Sequence, residues 1–122
     1  MTVREALDAV GTLKPLAYGA EALLRELSRL DGRIMKELWQ GRAGAAEELP
    51  NYTEANAANT ALVAEEPYDL MYLHYLMARI ALWNGEVERY NQYAQLFEEA
   101  YGAYRAGVSR EALWLGGQKL RM

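Results

Sequence analysis

The chain has 122 residues, a formal net charge of −4 and a hydrophobic fraction of 52%, and it contains no cysteine. This is the length of one domain, which can bury a core without covalent cross-links. The lack of cysteine excludes disulfides and thiolate metal sites, and the acidic balance argues against nucleic acid as a bulk electrostatic partner. Charged residues interrupt the opening sequence MTVREALDAV, so we expect no secretory signal there.

A short helix is predicted at the start of the chain. Thr2 and Glu5 have the spacing of a capping box, which places the first helical residue at Val3. The helix is expected to end near residues 11–12, because Pro15 disfavours the helical conformation at the residue before it.

A second helix is predicted over about residues 20–39, because its apolar residues recur every three or four positions. Gly32 interrupts this helix at a cost of about 1 kcal/mol relative to alanine, which allows a bend there. The apolar face consists of Leu23, Leu27, Leu30, Ile34 and Leu38.

The same helix carries a stripe of basic residues at helical spacing. The usual explanation of such a stripe is a solvated face, and the alternative is a surface that binds nucleic acid. The basic stripe consists of Arg25, Arg29, Arg33 and Lys36.

A long irregular loop is predicted over about residues 41–66. Glycine, asparagine, alanine and glutamate dominate it, and Pro50 prevents a continuous helix. Loops of this length are usually functional or disordered, so we expect this one to be mobile in an isolated subunit and to become ordered against a neighbour. The residues TALV at 60–63 are predicted to form a short extended piece.

A long antiparallel helical hairpin is predicted over about residues 67–106. Its first helix should begin at Pro67 or Tyr68 and end at Asn84-Gly85, a glycine stop with a left-handed backbone. The second helix should run from residue 86 to about 106. Its apolar seam repeats every three or four residues, as in a helical bundle. The seam consists of Val87, Tyr90, Ala94, Phe97, Tyr101 and Tyr104.

The predicted fold is therefore all-α: a small helical bundle in one domain, residues 1–106, followed by an extended C-terminal segment, residues 107–122. Gly107 is the expected stop of the last helix. Basic residues flank the apolar cluster Leu113-Trp114-Leu115, a composition found at interface hot spots. The segment either reaches a partner or folds back so that Trp114 covers the hairpin. The partner-binding candidates in it are Arg110, Leu113, Trp114, Leu115, Lys119 and Arg121.

No constellation that could carry catalysis is found in the sequence. His74 has no partner with metal-ligand or catalytic spacing, and a structural role is the favoured interpretation. The glycine-rich stretches match neither a phosphate-binding loop nor a dinucleotide-binding motif. We therefore expect no enzymatic activity, no catalytic residue, no metal and no cofactor. The apolar residues 70–83 are too short to span a bilayer, so no membrane partner is expected.

Seven of the nine tyrosines lie in residues 68–107. Tyrosine combines apolar area with a polar tip, and it is enriched at protein interfaces. Phe97, Tyr90 and Tyr101 are predicted to pack within the subunit because they lie on the seam. Tyr93 and Tyr104 lie at or beyond its edges and are predicted to contact a partner.

Three stretches resemble one known family. They are LSRLDGRI at 27–34, TALVAEEPYDLMYLHYL at 60–76 and NGEVERYNQYAQLFEEAY at 84–101. Together with the opening TVREAL, they are similar to the head–tail connector, or adaptor, proteins of long-tailed phages. The most specific part is the turn at residues 84–86 followed by Arg89-Tyr90-Asn91.

The resemblance implies a helical virion protein of the neck, made in the host cytoplasm and without enzymatic activity. It implies a ring, commonly of twelve copies, that lies below the portal vertex and extends the DNA channel. The implied partners are other copies of the chain, the portal protein and the next neck or tail protein. Viral DNA would pass without sequence-specific binding, which an acidic channel favours. The C-terminal segment would then anchor the subunit to the portal. The alternative function is a small helical nucleic-acid-binding regulator that uses the basic stripe.

Overall fold

The computed structural model describes residues 1–13, 19–41 and 49–121. Within these ranges the chain forms a small all-α bundle of four helices and no strand, as predicted. The helices are α1 (Val3–Leu13), α2 (Ala20–Ile34), α3 (Leu70–Trp83) and α4 (Val87–Arg121), and a π-helical turn (Met35–Trp39) continues α2. The core lies where α1, α2 and the α3–α4 hairpin meet.

The predicted capping box at the start of α1 is confirmed. The Thr2 amide donates to Glu5 Oε1 at 3.0 Å, and the Glu5 amide donates to Thr2 Oγ1 at 3.1 Å. The amide of Val3 also donates to the carbonyl of Thr60, and Thr2 forms an isolated antiparallel bridge with Ala61. The predicted extended piece at 60–63 is thus a single bridge that joins the N-terminus to the loop.

The second helix follows its prediction over residues 20–39, with one local difference. The chain stays helical through Gly32 and then widens into the π-helical turn at Met35–Trp39. All five residues of the predicted apolar face are buried. A π-helical turn inserts one residue into the helical repeat, so it changes the direction in which the following side chains point.

The loop is irregular over residues 49–66, as predicted, but it is not a free segment. Tyr52, Ala57, Leu62 and Ala64 are buried in the core of the same subunit. The expectation that a neighbour orders this loop is therefore wrong for residues 49–66, because these side chains already have an internal core to enter. Residues 42–48 lie outside the described ranges.

The hairpin turn is confirmed in detail. Gly85 has a positive φ of 73°, its amide donates to the carbonyl of Leu82, and the Glu86 amide donates to that of Ala81. These two bonds define a Schellman motif, in which glycine is favoured because it has no Cβ. The start of α3 differs from its prediction: the helix begins at Leu70, after turns over residues 65–69.

The last helix is much longer than predicted. It does not stop at Gly107, and it continues to Arg121, so the prediction of an extended C-terminal segment is wrong. Gly107 has a packing role instead. A Cβ at this position would lie 2.6 Å from the hydroxyl oxygen of Tyr68, so only glycine leaves room for that phenol.

Candidate functional site

Three carboxylates of the second helix meet tyrosines from distant parts of the chain. Glu26 and Asp31 are buried, and Glu37 lies half-exposed on the π-helical turn. This arrangement accounts for four of the nine tyrosines, because a phenol buries a large ring and still offers one O–H donor. The donors are Tyr52 and Tyr72 to Asp31, Tyr75 to Glu26, and Tyr101 to Glu37.

Asp31 is the most enclosed of the three, with 0% of its surface exposed. Its Oδ1 accepts the Tyr72 hydroxyl at 2.6 Å, and its Oδ2 accepts the Tyr52 hydroxyl and the Val63 amide. Tyr72 in turn accepts the amide of Ala64 at 2.7 Å. One carboxylate thus joins α2, the loop and α3.

Burial controls the protonation of this cluster. It raises the pKa of the Asp31 carboxyl and outweighs the three hydrogen bonds, which favour the ionised form. Burial and the neighbouring Asp31 charge also raise the pKa of the Tyr52 and Tyr72 phenols, so both remain neutral donors.

Glu26 organises a second group where α2 meets α3. Its Oε2 accepts the Tyr75 hydroxyl at 3.1 Å and lies 3.4 Å from Arg79 Nε, while its Oε1 pairs with Arg29 at 3.2 Å. The buried Nε of Arg79 is close enough to Glu26 for an ion pair, but the two groups do not have the geometry of a hydrogen bond. Burial and the Glu26 carboxylate raise the pKa of Tyr75 to about 12.

Glu37 organises a third group where the π-helical turn meets α4. It accepts Arg33 Nε at 2.7 Å and the Tyr101 hydroxyl at 3.1 Å, and the bond from Arg33 lowers its pKa. The guanidinium carbons of Arg33 and Arg105 lie 4.6 Å and 5.6 Å from the centre of the Tyr101 ring. Burial and the bond to Glu37 raise the pKa of Tyr101 to about 12. Both of these guanidinium contacts are cation–π contacts, and the one from Arg33 joins α2 to α4, whereas Arg105 lies on α4 itself.

The predicted division of the tyrosines is partly wrong. Tyr101 and Phe97 are buried on the seam as predicted, and Tyr90 is half-buried. Tyr104 does not lie at an edge that faces a partner: it is 4% exposed, and its hydroxyl accepts Trp39 Nε1 at 2.9 Å. Trp39 reaches the Tyr104 hydroxyl from the π-helical turn. The spacing of the seam residues along α4 does not indicate this contact. Tyr93 is half-buried against the core, and its contact with a partner stays a prediction.

The other predicted docking residues lie on the C-terminal part of α4. Arg110 is exposed. The side chains of Leu113, Trp114, Leu115, Lys119 and Arg121 lie outside the described set, although their backbone is helical. The alternative that Trp114 covers the hairpin also lies outside what is described.

The helix that carries these residues extends past its partner. With a rise of 1.5 Å per residue, the 14 residues of α3 span about 21 Å and the 35 residues of α4 span about 52 Å. Gly107 lies opposite Tyr68, just before α3 begins, so α4 continues for about 20 Å beyond the paired region.

The basic stripe of α2 borders an open groove of about 350 Å³, which Leu49 and Pro50 line on the other side. A neighbouring groove of about 330 Å³ shares Arg25 and Ser28 with it and continues along residues 51–54. Two of the four basic residues are also used within the subunit, because Arg29 pairs with Glu26 and Arg33 pairs with Glu37.

His74 is half-buried on α3, and burial lowers its pKa. Among the described side chains, no group of three metal-ligating residues is placed to hold a metal ion. The buried carboxylates Glu26 and Asp31 were not predicted from the sequence. A signal for them exists, because Glu26 and Asp31 lie next to the apolar positions of α2 at the same helical spacing.

Comparison with models of known protein families, with curated proteins and with solved structures found no match. Within the described residues, none of the helices has the length and apolar character that a membrane crossing requires.

Proposed function

We propose that this chain is a structural protein of a phage neck, which forms a ring below the portal vertex and joins the head to the tail or to the next neck protein. In this proposal the ring extends the DNA channel, and the protein is made in the host cytoplasm and remains in the virion. The observation that carries the proposal is the extension of α4 beyond the hairpin. A helix that continues past its partner in the hairpin is suited to docking on another protein.

The internal roles of the tyrosines sharpen this proposal. Tyr72, Tyr101 and Tyr104 are used inside the subunit, so they are not the ring contacts. The contacts would come from α4 instead, with Tyr93 on the hairpin and Arg110 at the start of the extension. The apolar cluster at 113–115 has the residue types of an interface anchor.

The resemblance of residues 27–34, 60–76 and 84–101 to connector proteins supports the same function. The net charge of −4 suits a channel that DNA passes through without being held. The family pattern also supports the absence of enzymatic activity.

Coexpression with the portal protein of the same phage, followed by electron microscopy, tests the proposal. We expect a ring of this chain on the portal. A chain that ends at Arg110 retains Val108, the last buried residue described, so it should fold but fail to attach. Attachment of this shortened chain, or no attachment of the full chain, would contradict the proposed docking.

A second function, nucleic-acid binding, is favoured by the groove along the basic stripe. Phosphates neutralised by Lys and Arg release counterions, so binding should weaken steeply as salt is raised. The test compares DNA binding by the natural chain with Arg25→Glu and Lys36→Glu, and with Arg89→Glu on α4 as the control. Salt-dependent binding that only the first two variants reduce would support this function.

A further inference from the structure

A pocket of about 270 Å³ lies at the end of the α3–α4 hairpin that is opposite its turn. The π-helical turn, residues 63–68 and α4 meet around it. It is distinct from the carboxylate clusters and from the grooves along the basic stripe. Its aromatic and charged side chains are those of Trp39, Glu65, Tyr68 and Tyr104, and Gly107 forms part of its wall.

The aromatic side chains of this pocket are held in place. Trp39 Nε1 donates to the Tyr104 hydroxyl at 2.9 Å, and Tyr104 is only 4% exposed. The rings of Tyr68 and Tyr104 lie 5.5 Å apart with an angle of 57° between their planes. The buried Tyr104 therefore supports the two half-buried aromatic side chains of the pocket, Trp39 and Tyr68.

Gly107 leaves room for the Tyr68 phenol in the pocket wall. A Cβ at this position would lie 2.6 Å from the Tyr68 hydroxyl oxygen and 3.0 Å from the ring carbon that bears it. Any other residue would therefore displace the Tyr68 phenol. A glycine inside a helix costs about 1 kcal/mol relative to alanine, and here the close approach of Tyr68 explains its presence.

The chemistry of the lining suits a cation with several N–H groups. Glu65 is exposed and offers a carboxylate, Tyr68 offers a phenol oxygen, and none of the described residues that line the pocket carries a positive charge. A guanidinium has five N–H donors in one plane and stacks on aromatic rings. The same subunit already uses this chemistry at Tyr101, whose ring carries the guanidinium groups of Arg33 and Arg105.

We propose that the pocket formed by Trp39, Glu65, Tyr68 and Tyr104 binds a guanidinium group. The carboxylate of Glu65 pairs with its charge, and the half-buried side chains of Trp39 and Tyr68 contact its plane. The group is either that of a small guanidino compound or that of an arginine in another polypeptide. The proposal does not depend on the neck-protein function, because it uses only the residues that line this pocket.

Nuclear magnetic resonance on the full-length, nitrogen-15-labelled chain tests the proposal through the indole N–H of Trp39. Its resonance is assigned by its loss in Trp39→Phe. We expect methylguanidine or N-acetyl-arginine amide to shift this resonance saturably at about millimolar concentration. N-acetyl-citrulline amide, which has similar shape but no charge, should give no saturable shift. Tighter binding of the arginine derivative would indicate a polypeptide source, and tighter binding of methylguanidine a small molecule.

Two neighbouring carboxylates provide the matched variants. Glu65 lines the pocket and Glu66 does not, although both are exposed. Glu65→Gln should weaken binding about tenfold, and Glu66→Gln should change it less than about twofold. Both substitutions are conservative and lie at exposed positions, so a circular dichroism melt should show an unchanged fold. The proposal would be overturned if neither guanidinium probe gave a saturable shift. It would also be overturned if N-acetyl-citrulline amide bound as tightly as the guanidinium probes, or if both variants weakened binding equally.

Discussion

The hydroxyl of Tyr72 on α3 lies 2.6 Å from Oδ1 of Asp31 on α2, although the two residues are 41 positions apart in the chain. Both side chains are completely buried. Because Tyr52 and the Val63 amide bind the same carboxylate, the pair also fixes the loop between the two helices. This cluster makes the irregular loop part of the subunit's own core.

Removal of the Asp31 carboxylate should destabilise the subunit strongly. Asp31→Ala leaves two hydroxyls and one amide without an acceptor, and each buried unsatisfied group costs about 1–3 kcal/mol. We expect a total loss of at least about 3 kcal/mol in urea unfolding. Asp31→Asn keeps the volume and one oxygen acceptor, so it should cost less. An alanine variant no less stable than the asparagine variant would contradict this role.

Asp31 should also give the stability a specific dependence on acid pH. Its pKa is raised in the folded state, so the folded chain holds this proton more tightly than the unfolded chain. The stabilisation is therefore fully present below the unfolded pKa, about 3.9, and is lost as pH rises through the folded pKa. Relative to Asp31→Asn, the natural chain should gain stability as pH falls from neutral toward about 4. If the free energy of unfolding of the two proteins changed with pH in the same way, the pKa of Asp31 would be the same in the folded and unfolded chains.

The tyrosines should make the fold sensitive to alkali. The pKa of Tyr75 and of Tyr101 is raised to about 12, because burial and a neighbouring glutamate disfavour the phenolate. Unfolded phenols ionise near pH 10, so between about 10 and 12 the unfolded chain binds fewer protons and stability falls as pH rises. Phenolate absorbance and circular dichroism should change together. Tyr75→Phe and Tyr101→Phe should each reduce the loss of stability between about pH 10 and 12.

The hairpin turn provides a test of backbone conformation. Gly85 has a positive φ, and no atom lies within 4 Å of a Cβ built there, so the cost of Gly85→Val comes from the backbone alone. We expect a loss of more than about 1 kcal/mol in thermal unfolding. Gly102→Ala on α4 is the control, because that glycine is helical and also has open space. It should stabilise by up to about 1 kcal/mol. A melting temperature unchanged by Gly85→Val would contradict the assigned turn.

Alanine substitutions at Phe97 and Tyr93 should affect folding and assembly differently. Phe97 is 5% exposed and lies 5.1 Å from the Tyr75 ring and 5.6 Å from the Tyr101 ring, so Phe97→Ala should cost about 3–5 kcal/mol. Tyr93 is half-buried, and Tyr93→Ala should cost only about 1 kcal/mol while it weakens attachment to a partner. If Tyr93→Ala unfolds the isolated subunit as severely as Phe97→Ala, this division is wrong.

Features that depend on nearby residues could be predicted from the sequence. The capping box of Thr2 and Glu5, the glycine stop at Gly85 and the apolar face of α2 each involve residues within one or two helical turns. Their geometry follows from helix periodicity and from the conformational range of glycine. The all-α class follows from the same local signals.

Features that depend on distant residues were decided only by the tertiary structure. Sequence spacing shows Glu26 and Asp31 close to an apolar face, but it does not show that tyrosines 49 and 41 positions away supply their donors. The sequence marks Gly107 as a helix stop, because glycine is the residue that usually ends a helix. The structure keeps Gly107 helical, since there the absence of a Cβ makes room for Tyr68, and Tyr104 is likewise buried by its contact with Trp39 across 65 positions. Local periodicity determines where helices form, whereas the partner of a buried polar group depends on which helices pack together, and that is fixed only when the whole core assembles.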